Sequence, residues 1–272
     1  MQIGIIAGTG ELPEIIARDA KERGYQVITI ALENLASSVL NEVSDRIKWV
    51  NAGKLGVLID TLKDSGVREV IMAGKVPKSL LYKSKITPDL RAIKLLFSLK
   101  DKSDDSILNA LAGELLKEGI SIINTAAFSG HLLTPSGVLT KRGPSPEEWT
   151  DIEFGQKIAK AVGELDIGQT VVVKGKAVMA VEAIEGTDEA ILRGGKWAGD
   201  GAVVVKVSKP QQDMRLDVPV IGPATLKTMI DIRARVLAIE AEKSIIIHRS
   251  RLIEEAEESG ISIVGLLPQN QK

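Results

Sequence analysis

The first seventy residues alternate short β-branched runs with glycine-rich breaks and helical stretches, and this rhythm restricts the fold more than any single motif. Gln2-Ile3-Gly4-Ile5-Ile6 reads as a strand, and Ala7-Gly8-Thr9-Gly10-Glu11-Leu12 breaks it. Pro13 suits the first turn of a helix that runs to about Arg23, Gly24 closes that helix, and Gln26 to Leu32 is a second buried strand. A strand–loop–helix–strand unit calls for a parallel sheet. The pattern repeats with a strand at Arg46–Val50, a helix after Gly53 and a strand Glu69-Val70-Ile71-Met72, which ends in the loop Ala73-Gly74-Lys75-Val76-Pro77. Open parallel sheets place their ligands in such loops, beyond the carboxyl ends of the strands.

The second half has another pattern. Thr140-Lys141-Arg142-Gly143-Pro144-Ser145-Pro146 interrupts the periodic segments. Glu147 to Leu165 reads as an amphipathic helix with Trp149, Ile152, Ile158, Ala161 and Val162 near one face. Thr170–Val173 and Ala177–Ala183 form a hairpin across Lys174-Gly175-Lys176, with Thr187 as cap of a following helix. Further strands and helices mix to the end. The expected fold class is therefore α/β with two domains, an N-terminal parallel-sheet Rossmann-like domain and a C-terminal mixed α/β domain. The boundaries are 1–134 for the first, 135–146 for a hinge-like linker and 147–272 for the second.

Composition removes several function classes. A formal net charge of −1 gives no basic surplus for nucleic acid, and zero cysteines exclude disulfides and thiolate chemistry. The start MQIGIIAGTG lacks the basic region of a signal peptide, and no apolar run approaches the roughly 20 residues that span a bilayer. The expectation is a cytoplasmic protein.

Candidate chemistry gathers in Val205–Thr225, where Lys206, Lys209, Asp213, Arg215 and Asp217 lie within twelve positions, ahead of Pro219, Gly222 and Pro223. Such charges are either solvated or organised into a polar site, since an isolated buried ion is too costly. We read them as a site centred on Asp217. Gly8 and Gly10 supply the first two glycines of a dinucleotide fingerprint, with Glu33 at the end of the second strand, yet Pro13 occupies the third glycine position. Looser phosphate contact at this helix start and a purely geometric turn both stay open. Lys75 is either a phosphate contact or a solvated loop lysine, and Asp104-Asp105 either cap a helix or touch metal or ribose. His131 is assigned no chemistry.

IAGTGELP, the AGKV loop, the paired aspartates before a helix, LDIGQ with VVV, VEAIEGTD, SKPQQDMRLDVPVIGPAT and a C-terminal IVG together carry a resemblance. The chain resembles, over nearly its whole length, the UDP-2,3-diacylglucosamine pyrophosphatases of lipid A biosynthesis, of the type unrelated to metallophosphoesterases. That family can carry Asn where Lys75 stands here. The resemblance implies a Mg²⁺-dependent hydrolase that cleaves the diphosphate to UMP and 2,3-diacylglucosamine 1-phosphate. It implies a nucleotide side in the first domain, an acylated sugar in the second, and an essential aspartate in R-x-D-x-P, which is Asp217 here. On this reading Asp217, Arg215 and Lys209 are catalytic, and Asp217 and Asp213 are candidate Mg²⁺ ligands. Gly8, Gly10, Leu12, Gly74, Lys75, Val76, Asp104, Asp105, Gln169, Glu182, Gly186, Thr187 and Lys206 are candidates for substrate binding. A diacylated substrate and the basic stretch Lys78–Lys85 suggest peripheral association with the inner face of the inner membrane, and a homodimer is admitted. The alternatives are an NAD-dependent oxidoreductase and a non-catalytic nucleotide-sugar-binding protein.

Overall fold

The computed structural model describes residues 1–77, 87–99, 101 and 103–267, apart from the side chain of Asp104. Its contacts divide into two units, one of Met1–Gly130 with Asp213–Asp217 and one of His131–Gln212 with Val218–Lys272.

In the first unit the elements run β1 (Gln2–Ala7), α1 (Leu12–Glu22), β2 (Gln26–Leu32), α2 (Leu40–Val43), β3 (Arg46–Val50), α3 (Leu55–Asp64), β4 (Glu69–Ala73), α4 (Leu90–Ser98), α5 (Asp104–Lys117), β5 (Ser121–Ile122) and α6 (Ala126–Ser129). The sheet order is β3-β2-β1-β4-β5 and every pairing is parallel. This is the doubly wound arrangement that the alternating pattern predicts, and the order reverses between β1 and β4. α1 carries Pro13 in its first turn and buries Ile16, Ala17 and Ala20. A core of Ile28, Ile30, Leu58, Ile59, Leu62, Val70, Leu115 and Ile120 lies under α3 and α5, and Leu216 joins it from far along the chain.

In the second unit follow β6 (Gly137–Val138), α7 (Pro146–Glu164), β7 (Thr170–Lys174), β8 (Ala177–Val181), α8 (Thr187–Ala198), β9 (Val203–Lys206), β10 (Val220–Ile221), α9 (Pro223–Asp231), β11 (Val236–Glu240), β12 (Ile245–Ile246), α10 (Arg249–Glu258) and β13 (Ser262–Leu266). The main sheet runs β6-β13-β11-β9-β7-β8, parallel along β13-β11-β9 and antiparallel elsewhere, beside a two-stranded pair β10-β12. Alternation splits its strands between two cores: Val171, Val173, Val203, Val205 and Ala238 face α7, whereas Val172, Val204, Leu237 and Ile239 pack with Ile191, Leu226 and Leu252 of α8, α9 and α10. Both faces are covered, which is why the sequence reads as unbroken valine runs. The predicted hairpin forms across Gly175 and Lys176, both at positive φ, and the Asp151 carboxylate accepts from their N–H groups at 2.7 and 2.6 Å.

Three local expectations need correction. The buried stripe of α7 is Ile152, Gly155, Gln156, Ala159 and Gly163, with Trp149 partly exposed. Small residues let this helix lie close on β7 and β9, so hydrophobicity alone misjudged the face: a Cβ on Gly155 would meet Val205 Cγ2 at 2.7 Å. Gly186, not Thr187, is the N-cap of α8, which frees the Thr187 side chain for another task. Within residues 135–146, read as a linker, β6 pairs with β13 and Arg142 donates to Glu148 at 2.6 and 2.7 Å and to Ser262 at 2.6 Å. Ser145 and Glu148 then cap α7 reciprocally.

Candidate functional site

The switch point of the first unit holds both of the predicted glycine loops. Beyond β1 and β4 the loops pair as an antiparallel bridge, with Thr9 N–H donating to Lys75 O at 2.9 Å and Lys75 N–H to Thr9 O at 3.0 Å. Gly8 N–H donates to Ala73 O at 2.8 Å, and the Thr9 hydroxyl also donates to Lys75 O. Glycine is required by proximity: a Cβ on Gly8 would lie 2.6 Å from Lys75 O, and one on Gly74, at φ +81°, 2.6 Å from Thr9 O. Gly10 stands at φ +98° in open space, and Gly74, Lys75 and Val76 are exposed. Leu12 is buried where α1 begins. Asp105 lies in the first turn of α5, where Ser103 is the cap, so the capping role expected of the aspartates belongs to the serine.

The Asp213–Asp217 segment is part of this same unit. Met214 O accepts from Thr125 N–H at 3.5 Å, and the Thr125 hydroxyl reaches Met72 O at 3.3 Å, which ties the segment to the carboxyl end of β4. Leu216 N–H and Asp217 N–H both donate to Asp213 O, closing a turn that leaves Asp217 half-buried. Arg215 grips Asp213: its Nε lies 3.0 and 3.1 Å from the two carboxylate oxygens and its Nη2 2.6 Å from one of them. This guanidinium, chiefly through its hydrogen bonds, holds the Asp213 carboxyl below its ordinary range.

The second unit holds the remaining candidates, Gln169, Glu182, Gly186, Thr187, Lys206 and Lys209. They gather at one end of the main sheet, where β7 begins and β8 and β9 finish. Lys206, buried, donates to the Thr187 hydroxyl at 2.6 Å, and that hydroxyl donates to Glu182 Oε1 at 2.9 Å. Gln169 N–H donates to Glu182 Oε2 at 3.4 Å. Burial pushes the Glu182 carboxyl up, but the Lys206 charge, the Thr187 hydroxyl and the Gln169 amide together hold it below its ordinary range. Lys209, expected among the catalytic groups, is buried and paired with Asp166. The candidate set is thus divided: the glycine loops, Asp213, Arg215 and Asp217 in one unit, the buried cations and Glu182 in the other. The stretch Lys78–Lys85 and the Asp104 side chain lie outside the described residues.

Two family models match the chain, the LpxI N-terminal domain over residues 2–132 and the LpxI C-terminal domain over 135–264. The chain belongs to the LpxI family. A relative in Caulobacter vibrioides, named UDP-2,3-diacylglucosamine pyrophosphatase LpxI, is 32% identical over 281 residues that cover 99% of each chain. Among solved structures, a GalE-like L-threonine dehydrogenase from Cupriavidus necator aligns with TM-score 0.35 and 11% identity, covering 100% of this chain and 87% of its own. The biotin carboxylase subunit of pyruvate carboxylase aligns with TM-score 0.29 and 14% identity over 67% of this chain and 38% of its own. Likenesses of that size carry no weight.

For this LpxI-family chain the metal question turns on the aspartates. Among the described residues no group of three or more His, Asp or Glu side chains is placed to hold an ion. Asp213 does not fit the ligand role expected of it, because both its oxygens already accept from Arg215. Mg²⁺ sites can also be sparser than such a group, with one or two carboxylates acting beside substrate phosphates.

Glu182 sets a measurable expectation. A carboxyl depressed in the folded state stabilises the fold above 4.5 and loses that contribution as pH falls through its folded value. Glu182→Gln should therefore flatten the acid limb of stability in melts carried below pH 4.5. At neutral pH it should destabilise by on the order of 2 kcal/mol, since Lys206 stays buried without its counter-charge. An acid limb as steep as wild type would contradict the assignment.

Proposed function

We propose that this chain hydrolyses the diphosphate of UDP-2,3-diacylglucosamine, giving UMP and 2,3-diacylglucosamine 1-phosphate in lipid A biosynthesis. The observation that carries the reading is the family membership, which extends over both units. In this reading the uridine nucleotide lies on the switch-point loops Gly8–Leu12 and Gly74–Val76 with Asp105. The acylated sugar and its phosphate use Gln169, Glu182, Gly186, Thr187 and Lys206. Asp217 takes the proton of the attacking water or positions that water, while Arg215, steadied by Asp213, offsets charge on the diphosphate oxygens. Mg²⁺, when bound through Asp217, supplies further neutralisation of those oxygens. Lys209 serves through its pair with Asp166, as an anchor of the segment that precedes Asp213.

The test is direct. Purified protein with UDP-2,3-diacylglucosamine and Mg²⁺ should release UMP, followed by chromatography, and mass spectrometry of the protein as purified should show retained glycolipid. Binding without UMP release would indicate a sensor, and tighter binding of NAD than of UDP an oxidoreductase; either outcome refutes the proposal.

The substrate's acyl chains require access to a lipid surface, and among the described residues no helix is long and apolar enough to cross a membrane. We place peripheral contact on α4, where Leu90 and Phe97, two turns apart, are 77% and 87% exposed and Lys94 lies between them. Flotation with anionic vesicles should recover the protein at low salt and lose it at high salt. Phe97→Ser should weaken recovery at least about threefold. Flotation indifferent to salt and to Phe97 would remove the idea.

A further inference from the structure

Glu240 ends β11 with 0% of its surface exposed, yet it carries a carboxylate that the proposed chemistry does not use. Its Oε2 accepts from the Lys160 ammonium at 2.6 Å and from Ser208 N–H at 2.8 Å. Lys160, on α7, also donates to Ser208 O at 2.8 Å. The ion pair therefore holds both polar groups of one backbone residue. Beyond Ser208 the grip continues along α7: Lys209 pairs with Asp166, and Gln211 Nε2 donates to Gly163 O at 3.3 Å. A Cβ on Gly163 would stand 3.3 Å from Lys209 Cα, so the segment lies directly on the helix.

Buried ion pairs contribute little net stability, because desolvation offsets their attraction. A hydrophobic pair of similar volume would fill the space but could not hold an N–H and a C=O together. The geometry also concerns where β9 continues: residues 208–212 are the last of the second unit before Asp213.

We propose that Lys160 and Glu240 are a positioning pair for the hydrolysis proposed above. They fix the path of residues 208–212 and so the point at which the chain leaves the second unit for the turn that carries Asp217. The proposal rests on the hydrolase reading for its effect on turnover, and on the fold alone for the anchoring.

The test uses the double variant Lys160→Met/Glu240→Gln, which leaves no unpaired buried charge, alongside Lys160→Arg, which keeps the cation. The double variant should fold, with kcat lower by about 10- to 100-fold, the scale expected when a reacting group is displaced by about 1 Å, and KM changed less than about threefold. Lys160→Arg should retain kcat within about threefold. Hydrogen exchange without substrate should show the amides of Ser208, Lys209, Gln211 and Gln212 in the double variant exchanging at least about tenfold faster than in wild type. Glu240→Leu alone, which removes the acceptor for Ser208 N–H and leaves the partly exposed Lys160 within reach of water, gives the same exchange readout should the double variant not fold. Wild-type exchange at 208–212 overturns the anchoring, and wild-type kcat with faster exchange overturns the positioning role. A wild-type protein that releases no UMP overturns the hydrolase reading instead, while exchange still judges the anchor.

Discussion

Asp217→Ala should lower turnover of UDP-2,3-diacylglucosamine by about 10²-fold or more, the scale on which a positioned acid–base group contributes. The fold should survive, because the carboxylate is half-buried while the turn is closed by backbone bonds to Asp213 O and seated by Leu216. Asp217→Asn keeps the shape and loses the charge, so it should lose turnover nearly as fully. Substrate binding should persist in both, and removal of a negative charge near the diphosphate should favour retention of substrate through purification. Asp213→Ala should be milder and act through Arg215, whose guanidinium it grips. Near wild-type turnover of Asp217→Ala at saturating Mg²⁺, or a folded variant that no longer binds substrate, would refute the assignment.

Gly74→Ala should cost about 2–4 kcal/mol, combining the left-handed backbone penalty with overpacking. The new methyl would press on Thr9 O at 2.6 Å and on Gly8 C at 2.8 Å, both backbone atoms that cannot turn aside. The bridge between the loops should open, and UDP affinity should fall by about tenfold or more, corresponding to 1.4 kcal/mol. Gly10→Ala is the control for stability alone: it shares the positive φ but meets no protein atom within 4 Å, so its melting should show about 1 kcal/mol of strain. Thermal melts check both, and UDP titration checks Gly74→Ala. A Gly74→Ala protein that melts and binds as wild type would remove the clasp from the account.

The first unit was legible in the sequence because its signals are local. Glycine after a β-branched run, proline in the first helical turn and another glycine at helix end each act within a few residues. Their repetition carried the parallel sheet. The function was legible mainly through the resemblance, since Lys206, Thr187 and Glu182 stand far apart along the chain until β8, β9 and α8 bring them together. Lys160 and Glu240 escaped notice for a physical reason: Lys160 is one of several charges along α7 and Glu240 closes an apolar strand, so each reads as solvated until the fold pairs them. Glu240 at the close of Val-Leu-Ala-Ile was the one available hint. Lys209 shows the reverse error, a charge in the right stretch whose partner, Asp166, lies on the far side of a hairpin.

Leu216 completes the core of a unit whose other residues end at Gly130. On a ribosome, that unit would therefore emerge, pair its five strands and still lack one apolar side chain until more than eighty further residues had been made. Synthesis at about 5–20 residues per second makes this a wait of several seconds, during which the seat for Leu216 faces water. A gene fragment cut between the two family domains would make the wait permanent.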